Sequence, residues 1–90
     1  MMQVTGTTEA GQVTSSGTSV TTFSSVPGRL FVIQAASTNA GTVTITKPSG
    51  TGGIVLSAGD PPLTLWGKNL NQFAYITSTS GDKINYLATY

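Results

Sequence analysis

Residues 53–90 read GIVLSAGDPPLTLWGKNLNQFAYITSTSGDKINYLATY. They hold four apolar runs: Ile54-Val55-Leu56, Leu63-Thr64-Leu65-Trp66, Phe73-Ala74-Tyr75-Ile76 and Ile84-Asn85-Tyr86-Leu87. Gly, Pro, Asn or Asp separates each run from the next. Runs this short, rich in β-branched and aromatic residues and bounded by turn formers, read as strands. Asp60-Pro61-Pro62 stops ladder bonding, because two successive residues lack an N–H. Trp66-Gly67-Lys68-Asn69 reads as a turn with Trp66 at its shoulder. Ser80-Gly81-Asp82-Lys83 reads as a hairpin connection between strands over 73–78 and 82–89. In the last strand, period-two alternation puts Ile84, Tyr86, Ala88 and Tyr90 on one face. The single Trp and all three Tyr lie in this segment, which is therefore expected to supply most of the large core-filling side chains.

Upstream, Thr42-Val43-Thr44-Ile45-Thr46 is the cleanest strand, with Val43 and Ile45 inward and three Thr outward. Residues 47–53, KPSGTGG, form a loop rich in breakers. Residues 29–37, RLFVIQAAS, carry Leu30, Val32 and Ala36 on one side and Phe31, Ile33 and Ala35 on the other. Apolar residues on both sides predict a central strand covered on both faces. Val26-Pro27-Gly28 is a turn, Pro setting one φ and Gly allowing the next. Residues 18–24 alternate weakly around Val20 and Phe23, and their β-branched Thr and Val favour a strand. No window carries a helical period with capping signals. Seven to eight short strands, spaced about ten residues apart, predict an all-β fold: a small antiparallel sandwich or jelly-roll-like barrel.

Residues 1–17 are almost wholly Thr, Ser, Gly, Gln and Val. Such a segment buries too little to order itself. It reads as an N-terminal arm ahead of a β-domain over 18–90, ordered where its own sheet or a neighbouring subunit holds it. Its start, MMQVTG, has neither the basic region nor the apolar run of a signal peptide, so synthesis in the cytoplasm is expected.

Ninety residues make one domain. A chain this size buries only about 60–65% of its unfolded surface, and small domains compensate with disulfides, metals or association. With no Cys and no His, disulfides and the usual zinc sites are excluded, and association is the option left. Only Glu9, Arg29, Lys47, Asp60, Lys68, Asp82 and Lys83 are charged, 8% of the chain against about a quarter in an average globular domain. A surface this poor in charge resists association weakly. Either it hydrates through Thr and Ser hydroxyls or much of it is covered by other protein. Four dispersed cations cannot form a basic stripe, so no nucleic-acid partner is expected. No apolar run approaches the roughly 18 residues of a membrane span, so no membrane partner is expected.

Catalytic constellations are lacking. The three acids are far apart in sequence, and each reads as a turn residue; Asp60 and Asp82 follow Gly and suit side-chain bonds to backbone N–H groups. A calcium site normally supplies more carboxylates. Gly50-Thr51-Gly52-Gly53 lacks the Lys-Ser/Thr and the helix of a phosphate cradle. No cofactor and no metal is expected. Trp66, Tyr75, Tyr86 and Tyr90 read first as core and sheet packing, and otherwise as a protein interface or a sugar platform. Arg29 is a solvated strand start or an interfacial anchor.

The pattern of Ala58-Gly59-Asp60-Pro61, Leu63-Thr64-Leu65, Asn69-Leu70-Asn71-Gln72-Phe73, Tyr75-Ile76, Ser80-Gly81-Asp82-Lys83 and Ile84-Asn85-Tyr86-Leu87 resembles small virion structural proteins of tailed bacteriophages, over residues 53–90. The resemblance implies a head decoration (cement) protein with a compact β-fold, located on the capsid surface, and it carries over no catalytic residue. The expected partners are the major capsid protein and further copies of the chain, as a homotrimer or homodimer. Met1, Met2, Val4, Val13, Arg29, Trp66 and Tyr90 are the expected interface residues. An arm that adds a strand to another sheet would bind through main-chain hydrogen bonds. Deleting residues 1–16 is then expected to weaken binding and spare the fold. The alternatives are a tail, neck or fibre component and a small carbohydrate- or receptor-binding module.

Overall fold

The computed structural model describes residues 8–90. Eight strands follow in chain order: β1 Thr8–Thr14, β2 Thr21–Thr22, β3 Leu30–Ala35, β4 Val43–Thr46, β5 Ile54–Leu56, β6 Leu63–Trp66, β7 Ala74–Thr77 and β8 Lys83–Thr89. They form two four-stranded antiparallel sheets, ordered β1-β8-β3-β6 and β2-β7-β4-β5. The first four strands each pair with one of the last four: β1 with β8, β2 with β7, β3 with β6 and β4 with β5. That is one long hairpin wrapped round itself, the jelly-roll winding. The predicted all-β sandwich is thus the fold.

The core lies between the sheets. Phe31, Ile33 and Ala35 from β3 and Ile84 and Ala88 from β8 meet Val43, Ile45, Leu56 and Tyr75 of the other sheet. Phe23, Val26 and Leu70 close the end of the sandwich. Tyr75 packs on Phe23 with ring centroids 4.9 Å apart, and Phe31 meets Phe73 edge-on at 6.3 Å.

Four sequence expectations change. First, residues 73–78 and 82–89 do not form a hairpin: β7 and β8 belong to different sheets. The connection is a corner, held by long-range bonds that local turn chemistry does not reveal. Ser15 N–H donates to the Asp82 carbonyl at 2.9 Å, and the Asp82 carboxylate accepts from Ala40 N–H at 3.0 Å and Gly41 N–H at 2.8 Å. Among the described residues, only β4 and β5 are both consecutive in sequence and paired with each other.

Second, β3 is central but covered on one face. Phe31, Ile33 and Ala35 are buried, while Leu30 and Val32 are half-buried and Gln34 is exposed. Third, the expected boundary at residue 17 does not divide the sheet. All seven residues of β1 pair with β8, so deletion of residues 1–16 would uncover β8 and not spare the fold.

Fourth, the shoulder after Trp66 contains one turn of 3-10 helix, Leu70–Gln72. Its start is a capping box: the Asn69 side chain accepts from Asn71 N–H at 3.0 Å, and Gln72 Oε1 accepts from Asn69 N–H at 3.2 Å. Burial of Leu70 supports this single turn, which is too short to show a helical period.

Candidate protein interface on the outer sheet face

The site follows from alternation on the longer sheet. Because Phe31 and Ile33 point inward, Leu30, Val32 and Gln34 point out. On β8, Ile84 and Ala88 are buried, which turns Asn85, Leu87 and Thr89 outward. On β6, Leu63 and Leu65 pack against the core, which turns Thr64 and Trp66 outward. Register then sets these residues in rows across the strands. Ala10, Leu87, Val32 and Thr64 form one row, and Thr89, Leu30 and Trp66 form the next. A third row is Gln12, Asn85 and Gln34, with Gln12 Nε2 donating to Asn85 Oδ1 at 2.8 Å.

The next row, Thr14 and Lys83, carries one cation, and these three rows are neutral. They hold Leu30, Val32, Leu87 and Trp66 among Thr and amide side chains. Trp66 is 74% exposed and Leu87 is 40% exposed. Trp is enriched among the residues that carry binding energy at protein interfaces. Four strands about 4.8 Å apart and about 20 Å long present roughly 400 Å². That is about half of what one partner contributes to a standard interface. A stable contact therefore needs the face together with its surroundings.

One end of the sheet supplies such surroundings. Arg29 N–H donates to the Thr89 carbonyl at 2.9 Å, and Gly67 N–H donates to the Arg29 carbonyl at 3.0 Å. These bonds hold Arg29 between the ends of β8 and β6, so Arg29, Trp66 and Tyr90 come to one end of the sheet. The Arg29 side chain is exposed, and Tyr90 is 58% exposed. Three of the expected interface residues are thus neighbours.

Val13 is different: it faces inward and packs against the core, so β1 offers a partner its backbone rather than this side chain. Met1, Met2 and Val4 lie outside the described residues. The aromatic set divides in the same way. Tyr75 is buried, Tyr86 packs against the core, and Trp66 and Tyr90 are open. The expectation that the last third supplies the core holds for Tyr75 and fails for Trp66. At β6 the alternation set by Leu63 and Leu65 leaves Trp66 on the outside. What sequence reasoning missed is the outward set of Leu30, Val32 and Leu87, which spans two adjacent rows. For Leu30 and Val32 the signal is the second apolar face of residues 29–37, which the structure leaves half-buried.

A second apolar feature is an open cleft of about 260 Å³ where the β5 and β6 edges of the two sheets part. Ile45, Ile54, Leu63, Leu65 and Phe73 line it. Among the described residues, no three His, Cys, Asp or Glu stand close enough to hold a metal ion. No helix among them is long and apolar enough to cross a membrane. Asp60 and Asp82 are turn and corner residues: Asp60 Oδ2 accepts from Ser57 N–H at 2.7 Å, and Asp82 is only 6% exposed. Compared with protein-family models, with curated proteins and with solved structures, the chain matches none.

Proposed function

We propose that the chain is a non-enzymatic structural subunit of a tailed-bacteriophage particle, a decoration (cement) protein that binds the assembled head and stabilises it. One observation carries this reading: a largely neutral, partly apolar sheet face with Trp66 at its edge, at the end of the sheet to which Arg29 and Tyr90 also come. A jelly roll by itself does not choose a function, since the same winding serves in viral capsid and lectin domains. The face favours protein as partner because its dominant side chains are apolar and it carries little charge to desolvate. The partners in this reading are the major capsid protein and further copies of the chain. A ligand that binds only the assembled shell raises the free energy of opening it, by about 2.7 kcal/mol per site at a hundredfold excess over Kd.

The test is co-sedimentation of the protein with undecorated phage capsids, titrated to saturation. Saturation at a fixed ratio to the major capsid protein is expected, and Trp66→Ala is expected to weaken binding at least tenfold. No binding by folded protein would move the chain to a tail, neck or fibre.

The exposure of Trp66 also favours a second reading, a carbohydrate-binding module that stacks a sugar ring on the indole. Its in-register neighbour is Leu30, and no carboxylate is held beside it by the strand pairing. A sugar site needs convergent polar groups around the platform. Glycan-array binding that Trp66→Ala abolishes, with the fold intact, would establish this reading instead.

A further inference from the structure

The two sheets have four edge strands, and one of them differs from the rest. β2 is two residues long, β5 three and β6 four, with Pro61 and Pro62 directly before β6. Short strands and prolines are the usual means of blunting an edge. β1 is seven residues long, has no Pro and no Lys, and among the described residues borders β8 alone.

The direction of its free groups can be worked out. Ser15 N–H donates to the Asp82 carbonyl, and Ala36 N–H donates to the Lys83 carbonyl. Residue 82 therefore faces β1, and residue 83 faces β3. In an antiparallel ladder this direction alternates residue by residue. Glu9, Gly11 and Val13 spend their N–H and C=O groups on β8. Ala10, Gln12 and Thr14, with Thr8, aim theirs at the open edge.

We infer that this edge pairs with the same edge of a second copy, antiparallel about a two-fold axis through Gly11. The symmetry of the strand supports this register. It sets Ala10 opposite Gln12 and Thr8 opposite Thr14 of the second copy, and these are the residues whose backbone groups are free. About eight main-chain hydrogen bonds result. Gly11 then meets Gly11 at the axis, a position where neighbouring backbones come closest and no side chain intervenes.

Charge agrees with the register. The only charge on β1 is Glu9, which falls opposite Val13 and not opposite its own copy. The pairing joins two four-stranded sheets into one of eight strands. Their outer faces become continuous, Ala10 beside Gln12, and so double the neutral surface. An edge contact buries less than the roughly 800 Å² per partner of a stable interface. The free dimer is therefore weak, with a Kd of about 0.1–1 mM, and tightens where a shell holds two copies side by side.

The pairing is independent of the shell reading because it is measured on the free full-length chain. Sedimentation velocity from about 10 μM to about 1 mM should show the 9.2 kDa chain moving toward twice its mass. Over the same range, amide exchange at Ala10, Gln12 and Thr14 should slow severalfold, while Gly11 and Val13 are protected throughout. Ala10→Pro removes a free donor and no bond to β8, and should abolish both changes. Ala10→Lys, which places a charge beside its own copy, should do the same if the proline variant fails to fold. A monomer at the highest concentration overturns the inference. So does a dimer that both folded variants still form, or one in which the alternate amides of β1 stay unprotected.

Discussion

The two sheets of this sandwich share a core but treat their outer faces differently. The β2-β7-β4-β5 sheet is small, with strands of two to four residues, and part of its outer face is covered by its own loop. Gly53 packs between the methyl groups of Thr44 and Thr46, and Gly50 lies on Val20. The β1-β8-β3-β6 sheet has three strands of six or seven residues, and its outer face carries Trp66, Leu30, Val32 and Leu87, of which Trp66 and Leu87 are exposed among the described residues. The smaller sheet still exposes apolar side chains at its edges, Ile54 at 50% and Val55 at 57% on β5, whereas on the longer sheet the outward apolar residues run across β8, β3 and β6.

This contrast can be broken at four points. The largest effect is expected where both sheets depend on one side chain. Phe31 is fully buried, so Phe31→Ala should cost about 3–5 kcal/mol in urea unfolding. A domain of this size has about 5–13 kcal/mol in total, so a loss below about 1 kcal/mol would mean that the core is elsewhere. Next is the corner that joins the sheets. Asp82→Ala leaves Ala40 N–H and Gly41 N–H without their acceptor and should cost about 1–3 kcal/mol. Asp82→Asn, which keeps one oxygen, should lose less by the same measurement.

The loop over the smaller sheet comes third. Gly53 has φ near 149°, and a Cβ there would stand 2.6 Å from the Ile45 carbonyl oxygen, which is backbone and cannot swing away. Gly53→Ala should destabilise by about 1–2 kcal/mol and raise amide exchange along β4 and β5. Unchanged exchange there would remove the cover from the comparison. The smallest effect is expected at the open face. Trp66→Ala should leave stability within about 0.5 kcal/mol, because the indole packs on little. A loss of several kcal/mol would place Trp66 in the fold rather than in an interface.

Much of this was legible in sequence, though unevenly. Val43 and Ile45 inward, Ile84, Tyr86 and Ala88 on one face, and the stop at Pro61-Pro62 all follow from alternation and from missing N–H groups. These are properties of a residue and its immediate neighbours. Leu30 and Val32 were misread because an apolar residue on a strand looks the same whether another layer of the protein or a partner covers it. Trp66 stands both as a core candidate and as an expected interface residue for a similar reason: size and apolarity specify burial, but not against which surface. Arg29, Trp66 and Tyr90 could be nominated singly, but no spacing in the chain shows that they meet.

By itself, then, the sequence determined that the chain is all-β, where most of its strands lie, and that its surface is nearly free of charge. Each follows from side-chain volume, β-branching and turn chemistry acting over a few residues. Only the tertiary structure decided that β7 and β8 part into different sheets, that residues 8–14 complete a sheet rather than form an arm, and which face stays uncovered. Those outcomes rest on contacts such as Ser15 with Asp82 and Ala40 with Asp82, made across tens of residues. Their strength depends on how the whole chain winds, and no local pattern encodes it.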